Sequence, residues 1–299
     1  DIVYVTGNKT LKLTSENILH SFFKGEPHGM YVPLTALSLS INNFFSGMNP
    51  APYLYTNLFL HILTVIFCFI FLKMLFKDDW IAFVASLLFA IHPAQAEVVA
   101  YTSGRRDVMY ALFFIISLIF YLKYIQNNYN KKQLIFSLVF FALSLLSKSQ
   151  ALLMPIVLLA IDKMYQRKVF SKEVLKEKIG FISLCILFGI ISIIVKQHSE
   201  GFAISREDLD VPIYHRIIYA FYGLSMYIVN VFVPYKLSLI HPYPNNDIPL
   251  IAWVSVIPAS LFIIWSGYKF YKKPDLSQFG IIFFILMIIL MLQLFPNSY

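Results

Sequence analysis

The residues best suited to chemistry lie in one stretch, His92 to Asp107, which reads HPAQAEVVAYTSGRRD. It offers an acid, Glu97, a phenol, Tyr101, two guanidiniums, Arg105 and Arg106, and a second acid, Asp107, with His92 and Gln95 ahead of them. A carboxylate can take a proton from a hydroxyl. Guanidiniums bind phosphate oxygens in pairs. Together these types can bind a phosphate and position an acceptor. Glu97, Tyr101 and Arg105 recur every four residues, so a helix here would align them as one stripe, weakened near its end by Gly104. The other reading is a solvated turn, in which Pro93 ends one helix and Arg106 pairs with Asp107 at the start of the next.

Further polar residues interrupt apolar runs. Lys148 sits in LSKSQ between two short apolar segments, where a lysine is costly unless it meets an anion. A phospholipid head group and a polyprenyl phosphate both satisfy that need. Asn57 and His61 are four apart in TNLFLHIL and share a helix face, where interhelical hydrogen bonding is the favoured role. Asp162 closes the run MPIVLLAIDKM, with Lys163 or Arg167 as the expected partner and a structural role. The acidic and basic residues between Lys196 and His215 read as a solvated loop.

The surroundings are strongly apolar. The 299 residues are 59% hydrophobic and 13% charged, against roughly 25% charged in a soluble domain. The expectation is an all-α polytopic membrane protein, with short interfacial helices in its outer loops. Candidate spans are Pro52–Leu75, Trp80–Ile91, Val108–Ile125, Leu134–Leu146, Leu152–Ile161, Ile179–Val195, Trp253–Tyr268 and Phe279–Leu294. Before them, residues 1–50 read as a first outer loop. Ser15–Phe23 would be a short amphipathic helix capped by Ser15, and Tyr31–Phe45 a helix lying at the membrane surface. Residues 51–299 would form the bundle of the same single domain. The chain starts at Asp1 and stops at Tyr299 after an apolar run, so it reads as a piece of a longer protein cut at both ends. Cys68 and Cys185 both lie in apolar runs, which speaks against a disulfide framework.

Charge sets the orientation. The loops Lys73–Asp79, Lys123–Lys132, Asp162–Lys178 and Lys269–Asp275 hold 14 of the 24 Lys and Arg but 6 of the 16 Asp and Glu. These loops are expected in the cytoplasm, with His92–Asp107, Lys148 and Asp1 on the opposite face. The basic balance follows from topology and gives no argument for nucleic acid. For the alternation to close, Arg216–Tyr235 should be re-entrant or interfacial, ending at Pro234. The alternative is that it spans and Lys269–Lys273 is outside. No Gly-rich phosphate loop and no Cys/His cluster with metal-binding spacing is visible, so no metal is expected.

Several stretches in order resemble one family. They are YVPLTALSLSINNFFSGMNPAPYLYTNLFLHIL at Tyr31–Leu63, LLFAIHPAQAEVVAYTSGRRDVMYALFF at Leu87–Phe114, LLSKSQALLMPIVLLAID at Leu145–Asp162 and YIVNVFVPYKLSLIHPYP at Tyr227–Pro244. They resemble the tetratricopeptide-repeat transmembrane O-mannosyltransferases and their bacterial relatives. The repeats themselves have no counterpart in this chain. Two positions depart from the family pattern: Gln95 replaces a second His after His-Pro, and Gln150 replaces the Glu after Ser-Lys.

The resemblance implies a GT-C-like multispanning helical bundle and a polyprenyl-phosphate-sugar-dependent glycosyltransferase. It implies transfer of a sugar, mannose in the family, from a polyprenyl-phosphate lipid to a Ser or Thr hydroxyl of an acceptor protein or peptide. The face would be periplasmic or extracellular, or luminal in the endoplasmic reticulum of a eukaryote. Asp1 or Glu97 would be the catalytic acid residue acting as base, and Arg105, Arg106 and Lys148 would hold the lipid phosphate. His92, Gln95, Tyr101 and Asp107 would shape the site. The lipid-linked donor requires no further cofactor. Two other classes stay open, a non-catalytic membrane scaffold presenting a repeat domain and a transporter. A transporter would favour internal repeats with matching broken helices.

Overall fold

The computed structural model describes residues 11–25, 30–198, 212–234 and 248–292. Asp1, the Lys196–His215 loop beyond residue 198 and most of the segment after Pro234 lie outside the described residues. Among the described residues there is helix and no strand, as expected of an all-α polytopic membrane protein. They fall into two compact units, Asp1–Leu158 with Val169–Gly201, and Leu159–Lys168 with Phe202–Tyr299.

The first unit opens with two short helices, α1 (Ser15–Phe23) and α2 (Pro33–Ser46). Thr14, not Ser15, caps α1: its hydroxyl accepts from the Asn17 N–H at 3.3 Å. Pro33 supplies the first residue of α2, where its missing N–H costs nothing. The next helices are α3 (Pro50–Phe76), α4 (Asp79–Ile91), α5 (Ala94–Ala100), α6 (Arg105–Gln126) and α7 (Lys131–Ser147). After α8 (Met154–Met164) comes α9 (Lys172–His198). Short 3-10 turns occupy Thr102–Gly104 and Ser149–Leu153. Side-chain oxygens cap the starts. Asn49 accepts from Ala51 N–H, Asp78 from the Trp80 and Ile81 N–H groups, and Asn130 from Lys132 N–H.

Among the described residues, four helices are long and apolar enough to cross a membrane: α3, α6, α9 and a fourth in the second unit. The helix pair α4–α5 passes the same test together but bends by 61° at His92–Pro93. Of the first unit's three crossing helices, α6 is the central one. Its apolar window is 61% buried, against 22% for α3 and 17% for α9. The lightly buried helices carry outward apolar stripes, Leu58, Phe59, Ile62 and Ile66 on α3 and Ile182, Ile186, Ile190 and Ile193 on α9, as lipid contact requires. Inside, α6 and α7 exchange hydrogen bonds: Ser117 Oγ donates to Ser137 O at 2.7 Å and Ser137 Oγ to Ser117 O at 2.9 Å. Small hydroxylated residues let the two backbones approach without leaving a polar group bare.

The unit has two polar ends. At one, Lys73 bridges to Asp79 at 2.8 Å. Tyr124 Oη donates to Glu177 Oε1 at 2.7 Å, and buried Lys178 meets Tyr121 Oη. At the other, α2 crosses the ends of successive helices. Thr35 Oγ1 donates to Ser147 O at the end of α7, Ser38 Oγ accepts from Arg105 at the start of α6, and Asn42 Nδ2 donates to Thr56 Oγ1 in α3. This is the end that carries the His92–Asp107 stretch.

The second unit holds α10 (Ile213–Phe232), α11 (Leu250–Lys272), which is the fourth candidate span, and α12 (Leu276–Ile289). Helix α10 stops two residues before Pro234, and it is not among the helices long and apolar enough to cross. Asp162, fully buried, pairs with Arg167 Nη1 at 2.6 Å, one of the two partners expected from sequence. Both cysteines are free thiols, Cys68 within α3 and Cys185 within α9.

Candidate active site

Arg105 and Arg106 are adjacent, yet they face different surroundings, because one step along a helix turns a side chain by about 100°. Arg105 is fully buried. Its Nε donates to Asn57 Oδ1 at 2.5 Å, its Nη1 to Ser38 Oγ at 2.7 Å and its Nη2 to Tyr53 O at 2.8 Å. The guanidinium thus pins α6 to α3 and α2. This corrects the expectation of a phosphate ligand at Arg105. Every one of its nitrogens is spent on a protein oxygen, and none faces the open end.

Arg106 points the other way. Its Nε lies 3.6 Å from Asp107 Oδ2, and its Nη1 donates to Met30 Sδ at 3.0 Å. Asp107 Oδ1 meets the Lys148 ammonium, which reaches across from the end of α7. The three side chains are part-buried, 25% exposed for Arg106, 31% for Asp107 and 11% for Lys148. A ligand can therefore reach them, while the surrounding protein weakens the screening of their charges. The anion that sequence demanded for Lys148 is supplied from within the chain. The pairing of Arg106 with Asp107 matches the plainer of the two sequence readings.

The rest of the stretch folds over this cluster's neighbours. Helix α5 lasts only seven residues, and Tyr101 is extended. Asn57 Nδ2 donates to the Tyr101 carbonyl at 2.7 Å, and the same carbonyl accepts the Gly104 N–H at 3.0 Å, so it serves α3 and the 3-10 turn after α5. The stripe of Glu97, Tyr101 and Arg105 therefore does not form. Glu97 and Tyr101 are exposed, whereas Arg105 is buried. His92 turns the chain between α4 and α5, with Nδ1 accepting from Ala94 N–H at 3.2 Å. Gln95 sits in the first turn of α5, its N–H bonded to the His92 carbonyl. Gly104 does more than loosen the helix: a Cβ there would stand 2.1 Å from the Val98 carbonyl oxygen. Its bareness lets α5 lie against the turn that launches α6. Asn57 and His61 act as hydrogen-bond makers between helices, His61 Nε2 lying 3.2 Å from Ala90 O.

The geometry agrees with sequence comparison. A family model described as dolichyl-phosphate-mannose-protein mannosyltransferase matches residues 32–194, more than half the chain and nearly all of the first unit's described helices. The chain belongs to this mannosyltransferase family. Among its relatives, Protein O-mannosyl-transferase TMTC1 of Mus musculus is 41% identical over 95 residues, 31% of this chain and 10% of that protein. Protein O-mannosyl-transferase TMTC2 of Homo sapiens is 39% identical over 101 residues, 34% of this chain and 12% of that protein. Protein O-mannosyl-transferase tmtc2 of Xenopus laevis is 32% identical over 183 residues, 60% of this chain and 20% of that protein. The chain thus spans a fifth or less of the length of these relatives. No solved structure matches.

Within the part matched to the mannosyltransferase family, α2, α3, α6 and α7 converge on one end and deliver Arg106, Asp107 and Lys148 there. Sequence reasoning missed Met30, Ser38 and the Tyr53 carbonyl. Asn57 was the available signal, since an amide in a spanning helix must find a partner, and its partner is what removes Arg105 from the open site.

Proposed function

We propose that this protein is a membrane glycosyltransferase that moves mannose from a polyprenyl-phosphate carrier to a Ser or Thr hydroxyl of a protein, on the non-cytoplasmic face. The observation that carries the reading is the part-buried meeting of Arg106, Asp107 and Lys148 at the end of the first unit remote from the basic turns, inside the stretch matched to the mannosyltransferase family. A carboxylate, Glu97 on exposed α5 or Asp1, takes the proton of the acceptor hydroxyl. The oxygen attacks the anomeric carbon, and the carrier phosphate departs from the opposite face, which inverts the centre. The leaving group is already an ionised phosphate, so it needs cations and not a strong acid. Arg106 and Lys148 supply them where charge develops. Arg105 holds α6 so that Arg106 is aimed correctly.

The test uses the full-length protein in membrane vesicles, a radiolabelled polyprenyl-phosphate mannose and an acceptor peptide. Removing one charge-stabilising donor typically costs on the order of 100-fold in rate, and Arg106→Ala and Lys148→Ala are each expected to lose that much with protein level unchanged. Collapse in Glu97→Gln but not Asp1→Asn assigns the base to Glu97, and the reverse assigns it to Asp1. Wild-type protein that transfers from no carrier would favour a scaffold instead.

A further inference from the structure

Among the described residues, two cations and one carboxylate meet in this cluster, and the carboxylate stands between the cations. Asp107 gives one oxygen to Lys148 and turns the other toward Arg106, on a side chain that is 31% exposed. Any phosphate held by Arg106 and Lys148 therefore lies beside a fixed negative charge. Lys offers three N–H donors and Arg five, enough to keep Asp107 and accept a second anion at once.

We propose that Asp107 is a specificity-determining residue that tilts this site toward a singly charged phosphodiester and away from a doubly charged phosphomonoester. The spent carrier is thereby released. This rests on the donor proposed above, whose chemistry gives the distinction its purpose. In the transfer, the acceptor oxygen bonds to the anomeric carbon and its proton passes to the base. The bond from that carbon to the phosphate oxygen breaks, and the electron pair stays on the phosphate. A diester with one negative charge thus becomes a monoester, which carries close to two at neutral pH because its second ionisation falls near pH 6. A site of two bare cations would hold the product more tightly than the donor. The Asp107 carboxylate repels each unit of ligand charge, so it weakens the dianion about twice as much as the monoanion in free-energy terms. A carboxylate beside a bound phosphate is the opposite of what phosphate binding needs, which gives Asp107 a role beyond holding α7 to α6.

The experiment uses the full-length protein in lipid nanodiscs at pH 7.5. It measures KM for polyprenyl-phosphate mannose and the inhibition constant of the sugar-free polyprenyl phosphate. Asp107→Asn and Asp107→Ser are expected to tighten both, the monoester more, so that the ratio of the two constants moves about tenfold toward product. Asp107→Glu should keep the wild-type ratio. Asp107→Asn combined with Lys148→Gln restores the charge count and should return the ratio toward wild type. Constants that rise together, a ratio that stays put, or loss of folding in both neutral variants would make Asp107 a strut and overturn the proposal. If wild-type protein transfers mannose and the ratio does not move, the role of Asp107 alone falls. If wild-type protein neither transfers from the diester nor is inhibited by the monoester, the donor itself is wrong and both readings fall.

Discussion

Two neighbouring arginines divide the labour of structure and chemistry, and substitution should separate them. Arg105→Ala removes a buried guanidinium and strands Asn57 Oδ1, the Ser38 hydroxyl and the Tyr53 carbonyl without their donor. Leaving a buried acceptor without its donor costs about 1–3 kcal/mol, and three are affected here. The expected result is a lower melting temperature in detergent and less folded protein in membranes. Arg106→Ala should melt like the wild type, since Arg106 is part-exposed and holds a 3.6 Å pair, and should instead lose transfer. Parallel melting and rate measurements check this; equal melting losses in both variants would contradict the division. From sequence, the residue types were legible and the roles were not. The arginines read as equivalent because the partners of Arg105 lie 48, 52 and 67 positions away. Asp162 was legible because its partner is only five positions on.

Helical elements were read well where periodicity was long and poorly where a distant group took over a backbone atom. The expected span Pro52–Leu75 is Pro50–Phe76 in the structure, because twenty-odd apolar residues leave no other solution. The four-residue repeat of Glu97, Tyr101 and Arg105 makes one stripe only if the stretch is helical, but α5 ends at Ala100 with Tyr101 extended and its carbonyl tied to Asn57. Gly104 then becomes the critical joint of the element. Gly104→Ala would drive a Cβ to 2.1 Å from the Val98 carbonyl oxygen, which is backbone and cannot swing aside. The start of α6 must shift, and geometry errors near 1 Å cost on the order of 100-fold in rate. Transfer should fall by about that factor while apolar packing of α6 persists, seen as retained helix content by circular dichroism. Wild-type rates in Gly104→Ala would show that α5 yields freely. In the second unit, Asp275 caps α12 by accepting from Gln278 N–H and Ser277 Oγ, each at 2.8 Å. The Gln278 N–H, then the Ser277 hydroxyl, hold its carboxyl below the usual carboxylate range. Its contribution is therefore present above the ordinary value near 3.9 and fades as pH falls through the depressed one. Protection of the first-turn amides of α12, measured relative to intrinsic exchange at each pH, should fall only in that acidic window, and Asp275→Asn should remove that fall.

At the scale of the whole molecule, hydropathy gave the class and the loop charges gave a direction, while side-chain partners gave neither. The helix ends of the first unit sort as charge alternation requires. Lys73, Lys123, Glu177 and Lys178 lie in the helical turns nearest one end, whereas Arg106, Asp107 and Lys148 gather at the other. Helices α3 and α6 make the separation concrete: Tyr53 and Arg105 meet near their starts, and about 20 residues of each helix, roughly 30 Å, lead to the opposite end. That distance equals the hydrocarbon core of a bilayer, so helices that cross it put the two ends on opposite faces. Positive-inside bias predicts that Lys73–Asp79 and Lys123–Lys132 face the cytoplasm, and labelling tests it. In a background without Cys68 and Cys185, a membrane-impermeant maleimide should label Ala100→Cys on intact cells, and Asn127→Cys only after permeabilisation; both positions are exposed. The reverse pattern would put the Arg106 cluster in the cytoplasm, where a lipid-linked sugar facing outward could not reach it. Lys273→Cys tests the remaining parity. Labelling only after permeabilisation agrees with α10 staying on one side of the membrane, and labelling of intact cells would require α10 to cross, despite its falling outside the helices long and apolar enough to do so.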